Sequence, residues 1–162
     1  MTLQNLIDTL PQQGTVEWIG IRDARKVPLT SVEQIEVNTQ HGLSGDHYSK
    51  VGGKRQVTLI QAEHLVAVAS MLGIETVLPE TVRRNIAVSG INLLALKDKR
   101  FKIGEVTLAY TGLCHPCSRM ETLLGPGGYN AMRGHGGITA QVLKGGVIRV
   151  GDAVMQLAVH SH

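Results

Sequence analysis

The stretches Phe101-Lys-Ile-Gly-Glu-Val106 and Ile148-Arg-Val-Gly-Asp-Ala-Val154 repeat one pattern, in which apolar residues flank a glycine followed by an acid. A glycine–acid pair between two strand-like runs is a turn signal, so each copy predicts a sharp change of chain direction. Two such corners on short strands favour a closed or nearly closed β-barrel over an alternating β-α-β sheet. We therefore predict a mainly β fold with a few short helices.

Short apolar runs elsewhere add further strands and one clear helix. The runs predict strands around 15–22, 31–39, 55–60, 85–89 and 105–110. A helix is predicted over 61–72, because apolar residues recur from Leu65 to Leu72 at helical spacing. Gly73 follows where a left-handed residue commonly ends a helix. No linker or composition break divides the chain, so we expect one domain over 1–162.

Composition excludes several classes of protein. The chain has 162 residues, 43% of them hydrophobic, and its net charge is only +3, which argues against disorder and gives no case for nucleic-acid binding. An aromatic fraction of 3% leaves little for a base-stacking surface. We find neither a signal peptide nor an apolar run long enough for a membrane span. Two cysteines fit a reducing compartment, so a cytoplasmic location is expected.

The densest cluster of reactive side chains is Cys114-His115-Pro116-Cys117, directly after the predicted strand 105–110. Arg119 lies two residues beyond Cys117, and a nearby cation favours a thiolate, which is a soft metal ligand. Three interpretations stay open: half of a zinc site, a thioredoxin-like dithiol, or two cysteines packed as small hydrophobes. Histidines that could join a zinc site in space are His41, His47, His64, His115 and His135.

Three other clusters could bind ligands. Arg83-Arg84-Asn85 precedes a predicted strand and could clamp a phosphate or a pterin ring, or could be a solvated strand end. His41 and His47 flank Asp46, but their spacing matches no closed metal site, and a turn at Gly45-Asp46 explains them equally well. The glycine-rich stretch 125–137 predicts a long loop whose amides could approach an anion, with Arg133 as a further cation.

Several motifs occur in an order and at distances typical of one known family. They are Gly45-Asp46-His47, Arg55-Gln56-Val57, Arg84-Asn85-Ile86, the corner at 101–105, the Cys117 loop and the closing stretch 145–152. This set resembles the MOSC domain family, named for the C-terminal domain of molybdenum cofactor sulfurases. The resemblance covers a core of about residues 15–157, and the chain is similar to the short stand-alone bacterial type.

The resemblance implies a barrel like the β-barrel of pyruvate kinase and binding of molybdopterin-type molybdenum cofactor. The position that matches the molybdenum-binding cysteine of the family's reductases is Cys117, and Cys114 does not match it. Cofactor contacts are implied at Arg84, Asn85, Gly45, Asp46 and Arg55. Arg119 and Arg133 join them as the cations of the Cys117 loop and of the glycine-rich loop.

Two functions follow from the resemblance. The first is reduction of N-hydroxylated or N-oxide substrates, with Cys117 on the metal and electrons from a separate flavin or iron–sulfur protein. A separate donor is needed because the chain lacks cysteines for a cluster and has no dinucleotide fingerprint. The second is a carrier, which delivers sulfur as a Cys117 persulfide, received from a desulfurase, or the cofactor itself, to a client enzyme. Nothing in the chain supplies a desulfurase domain, so the sequence gives no support for pyridoxal phosphate.

Overall fold

The computed structural model describes residues 1–24, 27–46 and 53–158. Within these ranges the strands are β1 Gly14–Ile21, β2 Thr30–Val32, β3 Gln34–Asn38, β4 Gly42–Leu43, β5 Val57–Gln61, β6 Ile86–Ser89, β7 Arg100–Ile103, β8 Val106–Leu113, β9 Ile138–Lys144, β10 Gly146–Arg149 and β11 Ala153–Gln156. The α-helices are α1 Leu3–Asp8, α2 Ala62–Leu72, α3 Arg119–Leu124 and α4 Gly128–Met132, and a 3₁₀ turn covers Leu93–Leu96. No described helix is long and apolar enough to cross a membrane.

Seven strands close into a barrel in the order β11, β7, β8, β9, β5, β6 and β1. Closure comes from β1 pairing with β6 along most of its length and with β11 at Gly14 and Thr15. The described barrel pairs are antiparallel except β5 with β6, which are parallel. β2 extends from β1, and a small sheet of β10, β3 and β4 lies apart. The predicted mainly β, closed barrel is therefore confirmed.

Both glycine–acid corners turn the chain as predicted. Gly104 adopts a left-handed φ of +58° in the tight β7–β8 hairpin, and Gly151 at +94° carries the chain from β10 into β11. The acids fix the two corners to their surroundings, since Glu105 accepts from the Val147 amide and Asp152 from the Arg149 amide, each at 2.8 Å. The repeated motif thus shapes both the barrel and its connection to the small sheet.

The apolar residues form two layers. The barrel interior is filled by side chains from its own strands, with Phe101 fully buried among them. A second cluster lies outside the barrel, where α2 and α4 cover one face of the parallel pair β5–β6. Both faces of β5 are covered, and every residue of the strand is buried. The parallel pair is therefore the most enclosed part of the sheet, as parallel strands usually are.

The structure corrects three expectations from the sequence. The predicted strand 31–39 is divided at Glu33 into β2 and β3, which belong to different sheets. The predicted loop 125–137 contains α4, because Ala131 and Met132 bury themselves in the cluster beside α2. The charged run 97–102, whose composition alone predicts a solvated turn, is not wholly exposed, since Lys99 is buried and donates to the carbonyl of Ile7.

The turn between α3 and α4 is held by one carboxylate. Glu121 accepts hydrogen bonds from the Gly127 and Tyr129 amides, both at 3.0 Å. These bonds hold the pKa of Glu121 below its ordinary value of 4.5. The carboxylate therefore replaces the hydrogen bonds that the first amides of α4 cannot make within the helix.

Replacing Gly104 by alanine should destabilise the fold more than the same change at Gly73. Both residues have a left-handed φ, but a Cβ at Gly104 would lie 2.5 Å from Asp152 Oδ2, whereas at Gly73 it would meet no described atom within 4 Å. We expect a loss of roughly 2–4 kcal/mol for Gly104→Ala and about 1–2 kcal/mol for Gly73→Ala, measured by chemical denaturation. Equal losses would show that the contact between the two corners carries no stability.

Replacing Glu121 by glutamine should loosen the α3–α4 turn at neutral pH but not in acid. A carboxyl whose pKa is lowered by folding stabilises the folded form above its ordinary pKa, and this is lost as the pH falls through the folded value. We expect faster hydrogen exchange of the Gly127 and Tyr129 amides in Glu121→Gln at pH 7, and a vanishing difference well below pH 4.5. Glu75→Gln is the exposed control, and a difference that persists in acid would contradict this role.

Candidate functional site

A groove of about 550 Å³ is lined by residues that follow β1 and β8 and by residues at or before the beginning of β5 and β6. Its described lining consists of Arg22, Gly53, Lys54, Arg55, Thr58, Arg83, Arg84, Cys114, His115, Cys117, Arg119 and Met120. A larger cavity of about 890 Å³ lies between α1 and the stretch 97–100, but none of the predicted site residues lines it. The groove is therefore the candidate functional site.

The groove is strongly cationic. Its lining includes six basic side chains, namely Arg22, Lys54, Arg55, Arg83, Arg84 and Arg119. No carboxylate belongs to the described lining, and the nearby Asp46 lies beneath it, where it pairs with Arg22 at 3.6 Å. Converging basic side chains raise the local concentration of anions. The chemistry of the groove consequently favours an anionic ligand.

Arg84 is a buried cation with an unused donor. Its Nε donates to Gly136 O and its Nη1 to Val82 O, both at 2.8 Å, whereas the buried Nη2 has no hydrogen-bond partner in the described part of the chain. Burial lowers the pKa of this guanidinium, and the thiols of Cys114 and Cys117 act in the opposite direction. Since a buried donor without a partner is unfavourable, Nη2 suits a ligand in the groove.

The two cysteines line the groove at different depths. Cys114 is 3% exposed, its Sγ accepts from Arg55 Nη2 at 3.8 Å, and its backbone amide donates to Gly137 O at 2.8 Å. Cys117 is exposed and directly precedes the first turn of α3. A ligand in the groove, or a second protein at its opening, can therefore reach Cys117 more easily than Cys114.

Asn85 lies beneath the groove and does not line it. The residue is 1% exposed, and its Oδ1 accepts from both the amide and the hydroxyl of Thr58, at 3.2 and 3.0 Å. Its Nδ2 donates to Gly20 O and to Asp46 Oδ1. Asn85 and Asp46 were predicted as cofactor contacts, and in the structure their polar atoms contact other protein groups beneath the groove. Through Asp46 this network also holds the amide and the guanidinium of Arg22.

The remaining predicted residues divide between the groove and other places. Arg55 and Arg119 line the groove with Arg84 and Cys117, as the prediction of one common site requires. Gly45 is exposed, and Arg133 follows α4, donates to Asn130 Oδ1 at 3.4 Å and does not belong to the described lining. His47, which was considered with His41 and Asp46 as a possible metal site, lies outside the described residues.

Sequence reasoning missed one arginine that the fold brings to the groove. Arg22 follows the end of β1, and its Nη1 donates to the carbonyl of Arg83 at 3.3 Å. Arg83, which the sequence offered with Arg84 as a phosphate or pterin clamp, also lines the groove and adopts a left-handed φ of +62°. A signal for Arg22 was present, because a basic residue directly after a barrel strand often faces an opening. The pairing of β1 with β6 brings Arg22 next to Arg83, and no motif in the sequence predicts that pairing.

The zinc interpretation finds no ligand set in the described ranges. Across 1–24, 27–46 and 53–158, no group of three or more His, Cys, Asp or Glu side chains could hold a metal ion together. His64 and His135 stack edge-on with ring centroids 4.8 Å apart, and neither lines the groove. The two cysteines thus have no third zinc ligand among these residues.

Comparison with known proteins gives a family and a fold. The model of the MOSC domain family matches residues 44–155, more than half of the chain. The YuaD protein from Bacillus subtilis is similar in structure, with a TM-score of 0.77 and 21% identity over 90% of this chain and 97% of that one. YiiM from Geobacillus stearothermophilus follows with a TM-score of 0.70 and 17% identity, over 89% and 75%. YiiM from Escherichia coli gives 0.68 and 17%, over 91% and 72%. No curated protein matches the sequence significantly.

Replacing Asn85 by alanine should destabilise the protein by roughly 3 kcal/mol, because the buried amide and hydroxyl of Thr58 lose an acceptor and the buried carboxylate of Asp46 loses one of its donors. Asn92→Ala is the matched control, since Asn92 is an exposed cap of the 3₁₀ turn and should contribute only about 1 kcal/mol. Urea denaturation of both variants measures the difference. A loss at Asn85 no larger than at Asn92 would disprove its central position in the network.

Proposed function

The chain belongs to the MOSC domain family, which is associated with molybdenum cofactor binding, and from this premise we propose that its cationic groove holds that cofactor. We propose further that Cys117 is the molybdenum ligand and that the protein reduces N-hydroxylated or N-oxide substrates. The observation that supports the proposal most is the convergence of a reachable thiol with the unused Nη2 donor of Arg84 in one groove.

The residues of the groove fit the chemistry of this cofactor. A thiolate is a soft ligand, which suits a metal held by dithiolene sulfur. Guanidinium groups bind phosphate oxygens in a bidentate manner, and the cofactor carries a terminal phosphate on a polar pterin. Arg84 is buried beside Cys114, so it would hold the anionic part of the cofactor at depth. The buried Arg22 lines the same groove and adds a second positive charge there.

Each residue then has a distinct part in the reaction. When bound, the cofactor supplies the metal centre at which oxygen leaves the substrate. Cys117 would hold that metal at the opening of the groove, and the arginines would fix the cofactor's orientation. Reduction of an N-hydroxylated compound to its amine takes up two electrons and two protons and releases water. The chain has only two cysteines, so the electrons would come from a separate protein.

A carrier function is the second candidate, and the exposure of Cys117 favours it. A persulfide on an exposed thiol can be reached by a client protein, whereas one on the buried Cys114 cannot. The same groove would then bind the cofactor for delivery to a client enzyme, with no turnover of its own. This candidate shares the cofactor site with the first and differs from it in the role of Cys117.

The test is molybdenum analysis with pterin release on protein purified from a host that makes the cofactor. We expect near-stoichiometric molybdenum in the wild type, a loss of about tenfold or more in Cys117→Ser, and a similar loss of pterin in Arg84→Gln. Cys114→Ser is the matched control and should retain the metal. The loaded wild type, given a reductant and an electron-donor protein, should reduce hydroxylamines.

The possible results separate the two candidates. Molybdenum and pterin in both wild type and Cys117→Ser would exclude Cys117 as the metal ligand. A persulfide mass increment on Cys117 after incubation with a desulfurase would then favour the carrier. A folded protein with neither metal nor pterin would overturn both candidates. Full metal loading without hydroxylamine turnover would reject the reductase alone.

A further inference from the structure

We infer that the opening of the groove selects anionic molecules, so the substrate that reaches Cys117 is a negatively charged N-hydroxylated or N-oxide compound. This inference rests on the proposed function and adds the substrate's charge to it. It concerns the outer part of the groove, which is distinct from the buried arginines assigned to the cofactor.

Exposure divides the lining of the groove into a floor and a mouth. The floor consists of the buried residues Arg22, Thr58, Arg84, Cys114 and Met120. The mouth consists of the side chains of Lys54, Arg55, His115, Cys117 and Arg119, which are exposed or half-buried. The half-buried Arg83 also lines the groove, but it donates to Val27 O at 3.2 Å and is counted with neither group. Cys117 belongs to the mouth itself, so the charges of the mouth act on any molecule that approaches this thiol and not only on the cofactor.

Every described charge at the mouth is positive. Lys54, Arg55 and Arg119 contribute cations, and no carboxylate belongs to the described lining. The nearest acids along the chain are directed elsewhere, since Glu121 accepts from the amides of Gly127 and Tyr129 and Asp46 is paired below the floor. Cations gathered around an opening attract anions and repel cations before contact.

The number of cations exceeds what the cofactor's phosphate requires. A phosphate monoester carries at most two negative charges, and Arg84 with Arg22 already places two guanidinium groups on the floor. The three basic residues of the mouth are therefore not required by that phosphate, and they line the groove together with Cys117. A carboxylate, phosphate or sulfonate on the substrate would neutralise part of this charge, whereas a cationic substrate would be disfavoured.

The test measures the charge selectivity of Cys117 itself, without cofactor. Its thiolate attacks the methylene carbon of a haloacetyl reagent, which forms an S–C bond and releases iodide. Rates with anionic iodoacetate and neutral iodoacetamide are compared at Cys117 by peptide mass spectrometry. The ratio for the urea-unfolded chain serves as the intrinsic reference. We expect the folded protein to favour iodoacetate by about three- to tenfold relative to that reference.

Variants and salt show whether the mouth causes the selectivity. The double variant Lys54→Gln and Arg119→Gln should return the ratio to the unfolded reference, and so should roughly 0.3 M salt, which screens exposed charges. Lys144→Gln removes an exposed charge at the end of β9, outside the groove, and should leave the ratio unchanged. The inference would be overturned if the wild-type ratio of the two rates equals that of the unfolded chain. It would also be overturned if the double variant has the same ratio as the folded wild type.

Turnover by the loaded protein then separates this inference from the proposed function. Two N-hydroxylated compounds of one skeleton, one with a carboxylate and one with a carboxamide, are compared at low salt. A higher kcat/KM for the carboxylate, lost in the double variant, is the expected result. Equal or reversed preference would overturn the inference while the reductase stands. If iodoacetate is preferred but the loaded protein reduces neither compound, the reductase function is rejected, and the selectivity of the mouth for anions stands.

Discussion

The side-chain amide of Asn85 is the contact on which the candidate site depends. It makes four hydrogen bonds: two with Thr58 in β5, one with Gly20 near the end of β1 and one with the carboxylate of Asp46. Asp46 in turn accepts from the Arg22 amide and pairs with its guanidinium. A buried network of this kind is rigid when every member is satisfied. The backbone on either side of Asn85 is thereby fixed, and the neighbouring arginines take their places from it.

The order of the strands in the sheet brings the rest of the site together. The arginines, lysine and thiols come from or next to the ends of β8, β5, β6 and β1, and only β9 separates β8 from the other three in the sheet. Gly137 completes the arrangement, since a Cβ there would lie 1.9 Å from the carbonyl oxygen of Leu59. That close approach lets the Gly137 carbonyl accept from the Cys114 amide, which sets the depth of this cysteine.

The sequence predicted correctly those turns and helices that are determined by residues close together in the chain. The corners at Gly104 and Gly151, the helix α2 and its left-handed end at Gly73 follow from turn residues and helical spacing. The short helix α4 was missed, because it forms through the Glu121 carboxylate and the burial of Met132 against α2, which are tertiary effects. Arg84, Arg55, Arg119 and Cys117 could be named from their motifs. Whether Asn85 faces the groove or supports it depends on strand pairing that no single motif encodes.

Three unfavourable features of the described structure meet at the groove. Arg84 keeps a buried donor without a described partner, Arg83 holds a left-handed φ that a non-glycine residue adopts at about 1–3 kcal/mol, and like charges converge without a lining carboxylate. By contrast, the barrel interior is filled by apolar side chains in ordinary strand geometry. Sequences that satisfy local rules elsewhere commonly break them at functional sites. An anionic ligand would relieve two of the three features at once, because it supplies an acceptor for Arg84 and negative charge for its neighbours. The left-handed φ of Arg83 would remain, because it belongs to the backbone that carries Arg83 and Arg84 into the groove.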